Sequence, residues 1–489
     1  MKRDTTIIIL FIVAFIPVRG EPSGIVIGLG DAENIAVDNS LDLRLMSLQG
    51  ASLEQAEKAK LRDFFPQVSV SYRQNRSIAQ RDYDNGNHSV QLQVTQPIYD
   101  GGRSKLNYDI ARIDLRLLSE KKKQTVNEIR FQARQQYLKL QQQRLSIAVA
   151  TANLENLFRL RNKSEAEYQI GEITALDITE IRNQYNQKQL DLSKEKNSFQ
   201  DAMEDFALFL RLPEGSLPTL RTLDLANINV SDKPLNIDNL IDIAFQNRPD
   251  IKQAVIDHLK SERQLIVAER HYLPNLSLTG HYGKTGTEWP PQTIEWGVGL
   301  NITIPLYGST IQSDSTVNHS RADTERSVSS GGSIDIYNNP AWSDPVIRGT
   351  IDALQAKDKL RLLRKQTELQ VRRLVRDFEE RRKALELADQ SLAVRENRYL
   401  IELKKYETGE TSLTDLLTEQ VKLIQARQDL IRERVDFAIS ANQLEIELGL
   451  DIDSLALLKF SEYSSDDSDA IRRSWTPRTT IQIPEPNLR

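Results

Sequence analysis

The sequence predicts a mainly helical fold: long antiparallel coiled-coil helices plus four barrel strands per chain, internally duplicated. Three observations predict it. The chain repeats itself, it carries long runs of helix formers free of proline and glycine, and it carries short segments in which apolar and polar residues alternate.

The repeat comes first, because self-similarity over a long period decides how every local pattern is read. Ile35-Ala36-x-x-Asn39-x-x-Asp42 returns as Ile243-Ala244-x-x-Asn247-x-x-Asp250. Phe64-Phe65-Pro66 returns as Tyr272-Leu273-Pro274, and Pro97-Ile98-Tyr99 as Pro305-Leu306-Tyr307, all at one offset of 208 residues. Tyr168-x-x-Gly171-Glu172-x-Thr174-x-x-Asp177 returns as Tyr406-x-x-Gly409-Glu410-x-Ser412-x-x-Asp415 at an offset of 238. The extra length lies in a stretch rich in Ser, Asp, Asn and Gly between Ser309 and Pro345, which reads as a long loop without regular structure.

The domain reading follows from this: a signal peptide over 1–20, a first repeat over 21–212, a linker over 213–235, a second repeat over 236–450 with the polar insertion 309–345, and a flexible C-terminal extension over 451–489. The leader has Lys2 and Arg3, an apolar stretch from Thr5 to Val18, and a small residue at Gly20. That stretch is shorter than the roughly 20 residues a membrane-crossing helix needs, so it reads as cleaved rather than anchoring.

Each half reads as short helix, strand, hairpin loop, strand, long helix, tight turn and return helix. In the first half Val68, Val70 and Tyr72 alternate with Gln67, Ser69 and Ser71, and Val90, Leu92 and Val94 with Gln91, Gln93 and Thr95. In the second, Leu276, Leu278 and Tyr282 share one parity, as do Trp296, Val298, Leu300, Ile302 and Ile304. Alternation over about 9 to 11 residues is what a strand between lipid and a lumen requires; a half-buried soluble sheet gives the same pattern. Between Gly102 and Tyr168 there is neither proline nor glycine, so one helix on the order of 100 Å is the simplest reading. Leu413, Leu417, Val421, Ile424, Ile431, Val435 and Ala438 read as a coiled-coil seam on the last helix.

Composition narrows the function. The charge is balanced, 64 basic against 69 acidic residues for a net of -5, so no field marks a nucleic-acid partner. There is no cysteine, which removes disulfides, thiolate metal sites, a cysteine nucleophile and a lipoprotein anchor. The five histidines, His88, His258, His271, His281 and His319, lack metal-ligand spacing. Gly280-x-x-Gly283-Lys284-Thr285 ends like a phosphate loop but lacks the leading glycine and the following helix. Lys121-Lys122-Lys123 reads as a solvated helix face, and no nucleophile with a base is visible, so no catalytic residue, metal or cofactor is assigned.

Four strands cannot close a barrel, whose usual minimum is about eight, and an open edge cannot face lipid. Copies must share one barrel of eight, twelve or sixteen strands. The rival reading is a pore-free coiled-coil scaffold of the periplasm or cell envelope. The tyrosines and tryptophan at the strand ends, Tyr72, Tyr99, Tyr282, Trp296 and Tyr307, suit membrane interfaces and argue against it.

Taken together, the export signal, the repeated strand pairs ending in proline, and the Tyr-x-x-Gly-x-x-Thr/Ser-x-x-Asp turn between long helices resemble the TolC-like outer-membrane efflux and secretion channel family, the outer membrane factors. The resemblance runs from about Ala32 to Leu450. It implies a homotrimer with twelve strands in the outer membrane of a Gram-negative-type cell and twelve helices forming a periplasmic tunnel. It implies partnership with a periplasmic adaptor (membrane fusion) protein and with an inner-membrane pump or ATP-driven exporter.

The candidate site is the pair of helix-hairpin turns, Tyr168, Gly171, Thr174 and Asp177 in the first half and Tyr406, Gly409, Ser412 and Asp415 in the second. The resemblance implies that Asp415 projects a carboxylate ring onto a three-fold axis, that Tyr406 hydrogen-bonds to a neighbouring hairpin, and that Asp177 accepts such bonds. Thr418 stands where family members carry a second acid. The same residues fit a helix-capping pattern, Thr174-x-x-Asp177 and Ser412-x-x-Asp415, which needs no gate. Arg or Lys at this mouth would have argued for anions, and none is obvious there.

Overall fold

The computed structural model describes residues 26–77, 85–213, 215–224, 235–320, 326–455 and 457; the leader and most of the C-terminal extension lie outside them. In chain order come β1 (Val26–Ile27), α1 (Leu29–Asp38), α2 (Leu41–Arg62), β2 (Gln67–Ser77), β3 (Asn85–Tyr99), α3 (Arg103–Gln169) and α4 (Ala175–Phe209). Then follow β4 (Thr219–Leu220), α5 (Ile237–Asn247), α6 (Pro249–Glu269), β5 (Asn275–Gly286), β6 (Thr293–Leu306), β7 (Ser309–Ser320), β8 (Arg326–Asp335), α7 (Asp344–Glu407) and α8 (Leu413–Glu447). Helix pair, strand pair and helical hairpin occur twice in this order.

The proline- and glycine-free run is one helix of 67 residues, and its counterpart α7 has 64. At 1.5 Å per residue each is close to 100 Å long. The return helices α4 and α8 have 35 residues each and cover only the lower part of these rods. The rest is covered by α2, which packs on α3, and by α6, which packs on both α3 and α7. Each short helix of the sequence reading is in fact two. Ser40 breaks the first by accepting the Leu43 amide at 3.3 Å, and Pro249 opens α6 where a missing N–H costs nothing.

The main core forms where α1, α3, α4, α5, α7 and α8 converge, around Tyr137, Phe206, Phe437 and Ile431. The Tyr137 hydroxyl donates to the Arg221 carbonyl at 2.7 Å, tying the parallel β1–β4 pair to α3. The segment read as a linker therefore contains a strand. Arg134, 6% exposed, reaches Glu33 at 2.6 Å and grips both oxygens of Asp453. Burial pushes the Glu33 carboxyl up despite the opposing Arg134 charge. The C-terminal extension thus starts fixed, with the Leu455 amide on Glu445 at 2.8 Å. On α8 the seam differs from the sequence reading at one place: Val421 is 47% exposed, and Gln420 is buried instead, donating to Asn153 of α3 at 2.8 Å.

The remaining strands form one antiparallel sheet in the order β2-β3-β5-β6-β7-β8. Its register places the alternating residues in common rows, Val70 beside Leu92, Leu92 beside Tyr282, and Tyr282 beside Trp296. These apolar rows are uncovered; Val70 is 73% exposed. The sheet has six strands, two more than the four the sequence showed. The polar insertion is no loop: after a two-residue turn at Tyr307-Gly308, it pairs with β6 along twelve residues and folds back as β8. Its serines and glycines hid a weak period-two pattern in which only Ile311, Val317, Val328 and Ile334 are large and apolar. Among the described residues no helix is long and apolar enough to cross a membrane.

Candidate functional site

Both helix-hairpin turns are built by the same backbone device. At the end of α3, the Glu172 amide bonds the Glu167 carbonyl at 2.9 Å and the Gly171 amide bonds Tyr168 at 3.1 Å. At the end of α7, Glu410 bonds Lys405 at 2.8 Å and Gly409 bonds Tyr406 at 3.1 Å. These paired bonds require a left-handed residue, and glycine supplies it with φ of 82° at Gly171 and 76° at Gly409. A β-carbon at either glycine would meet nothing within 4 Å, so backbone conformation alone selects them.

The return helices then start on their caps. The Asp177 amide donates to Thr174 Oγ1 at 3.2 Å, while the Thr174 hydroxyl and amide donate back to Asp177 Oδ2 at 2.7 and 3.0 Å. Those bonds hold the Asp177 carboxyl below the usual aspartate range, the hydroxyl being the larger cause. Asp415 repeats the pattern, its amide on Ser412 Oγ at 3.2 Å and its Oδ2 receiving the Ser412 hydroxyl at 2.6 Å. Both aspartates cap helices, and Asp415 remains exposed.

Tyr406 joins the two hairpins within one chain. Its hydroxyl donates to Glu167 Oε2 on α3 at 3.2 Å, and its ring packs on the small core of Leu157, Ile181, Leu413 and Leu417. The Lys163 ammonium lies 5.4 Å from the ring centre and 3.6 Å from Glu167. Burial, reinforced by the Glu167 charge, pushes the Tyr406 phenol up to about 12, so it is a hydrogen-bond donor at neutral pH. The acceptor is Glu167 rather than Asp177, whose carboxylate is engaged by its own cap. Tyr168 lies exposed near this link.

Basic residues are present at this end, contrary to the sequence reading, but each described one that faces an acid is paired: Lys163 with Glu167, Arg182 with Glu165, and Lys405 with Glu402 at 3.4 Å. Glu402 also accepts from Thr411 at 2.7 Å. Sequence reasoning missed Glu167, Lys163 and Glu402, because pairings between helices carry no local spacing signal. Among the described residues no group of acidic or histidine side chains is arranged to hold a metal ion.

The turn geometry, the two helical rods and the antiparallel sheet coincide with a known pattern. Residues 34–210 match the family model for outer membrane efflux proteins. Over that stretch the chain is similar to outer membrane efflux proteins. The outer membrane protein TolC of Escherichia coli K12 is 21% identical over 413 residues, covering 82% of this chain and 77% of TolC. Among solved structures, the Campylobacter jejuni CmeC outer membrane channel superposes with a TM-score of 0.69 at 14% identity, covering 91% of this chain and 89% of CmeC. The open state of the Neisseria gonorrhoeae MtrE outer membrane channel gives 0.67 at 14% identity, over 86% of this chain and 89% of MtrE. CmeC and MtrE are outer membrane channels.

Proposed function

We propose that this chain is one protomer of a homotrimeric outer-membrane channel. Its sheets would cross the outer membrane and its helices would line a periplasmic tunnel. The channel conducts cargo passively to the exterior, receiving it from a periplasmic adaptor and an inner-membrane pump or ATP-driven exporter.

The observation that carries the reading is the sheet itself. Its apolar rows face outward uncovered, and both edge strands, β2 and β8, are open along their length. A soluble scaffold that left such a face and two such edges bare would aggregate. Lipid satisfies the face, and further copies satisfy the edges.

At the other end, the capping carboxylate of Asp415 is still exposed, and in a trimer three copies of it would repel one another, a ring that favours cations. The Tyr406–Glu167 bond holds α7 to α3 at this tip, so widening the mouth by moving the α7–α8 hairpin must break it. Extraction of cell envelopes with alkaline carbonate tests the placement. The chain should stay with the outer membrane; its release into the supernatant would return the scaffold reading to first place.

A further inference from the structure

The β7–β8 hairpin has no counterpart in the first half, where β3 passes directly into α3. It occupies the β6 edge, where a neighbouring copy would have to pair if each copy gave only β2, β3, β5 and β6 to the wall. Two fates are open to it on assembly: it unzips and yields that edge, or it stays and passes the edge to β8.

Length favours staying. The two strands have 12 and 10 residues, and a tilted membrane strand needs roughly 9–11. Their facing agrees with the rest of the sheet. Val298 continues into Val317 and Val328, and Ile304 into Ile311 and Ile334. Between these rows lie uncharged Ser315 and Ser330, with Ser313 and Gly332 beside them. On that face the ionisable side chains are His319 and Arg326, paired with each other in register at the outer end, where a membrane interface tolerates them. Polar Gln312, Asp314, Thr316 and Asn318 fall on the opposite face, with β6 residues Asn301 and Thr303.

The seam between β6 and β7 is fitted rather than provisional. A β-carbon at Gly299 would come within 2.8 Å of Thr316 Oγ1 on β7 and 3.0 Å of Thr279 Oγ1 on β5, and one at Gly297 would collide with Asn318 Oδ1 on β7 and the His281 ring on β5, so these glycines let β6 pack closely against β7 as it does against β5. The base is pinned as well. Tyr307 and Gly308 both have positive φ, as a two-residue hairpin turn needs, and Tyr307 stands edge-on to Trp342 at 5.5 Å. The Tyr337 amide closes the foot on Ser309 Oγ at 2.9 Å. Adding two strands also keeps the count even, so β8 runs antiparallel to a neighbour's β2.

We infer that β7 and β8 are two further membrane-crossing strands, so that each copy supplies six strands, a trimer supplies eighteen, and β8 pairs with β2 of the next copy. The inference rests on the channel reading. Because barrel diameter grows about linearly with strand number, the wall would be roughly half again as wide as one of twelve strands.

The absence of native cysteine makes the test clean. Val298→Cys/Val317→Cys and Thr303→Cys/Gln312→Cys place one pair at each kind of antiparallel position, so one of them lies at the closer spacing. Oxidation should lock β6 to β7 in at least one variant without loss of trimer. Between copies, a short bis-maleimide should convert Val70→Cys/Val328→Cys monomer bands into dimer and trimer bands and leave Val70→Cys/Val298→Cys uncoupled. Coupling of Val70→Cys/Val298→Cys between copies, or loss of trimer on locking, overturns the inference and leaves the channel reading intact. A chain that neither trimerises nor stays with the outer membrane overturns both.

Discussion

Replacing Tyr406 by Phe removes one oxygen from the tip and little else. The ring still fills the core of Leu157, Ile181, Leu413 and Leu417, and Lys163 still lies over it. What goes is the 3.2 Å bond to Glu167. Hydrogen bonds to charged partners contribute about 1.5–3 kcal/mol. This one is only half-buried and Glu167 keeps Lys163 as a partner, so about 1 kcal/mol is a fair figure, close to a five-fold change in an equilibrium. If the bond holds the mouth closed, Tyr406→Phe raises the ratio of open to closed channel by about that factor in single-channel records, and Glu167→Gln on the Tyr406→Phe background adds far less than it does alone. The phenol's raised pKa gives a second readout. Its contribution is complete below the unfolded value of about 10 and is lost as pH rises through about 12, so wild-type channels should lose stability across that window and Tyr406→Phe channels should not. Equal open fractions in wild type and Tyr406→Phe, or full additivity with Glu167→Gln, would remove the bond from the gate.

Gly409→Ala forces a left-handed alanine into open space, so thermal unfolding in detergent should show a loss of about 1–2 kcal/mol from conformation alone. Asp415→Ala removes an exposed carboxylate while Ser412 still caps α8, so trimers should form and block of the current by divalent cations should weaken; unchanged block would leave Asp415 as a cap only. Arg134→Ala leaves Glu33 and Asp453 without their buried cation, and the melting temperature should fall by the equivalent of about 3 kcal/mol.

The helices were legible because their cause is local: a run without proline or glycine, glycines at Gly171 and Gly409, and Thr174 and Ser412 three residues before an acid. The first four strands were legible because one face is strongly apolar. β7 and β8 were not, since Ser313, Ser315, Ser330 and Gly332 occupy the outward rows where valine or isoleucine would have shown the period; only register against β6 reveals them. Val421 and Gln420 were misjudged because a polar residue entered the seam to meet Asn153, a partner 267 positions away. The turn residues were found from spacing, while Glu167 was not, because its role depends on α7 lying beside α3.

The claim beneath all of this is that one copy cannot seal its own sheet, so several must complete the wall around a pore. Purified protein in detergent, measured for mass and then for current in planar lipid bilayers, tests it most directly. The account predicts trimers that conduct in discrete steps; a monodisperse monomer that carries no current would contradict it.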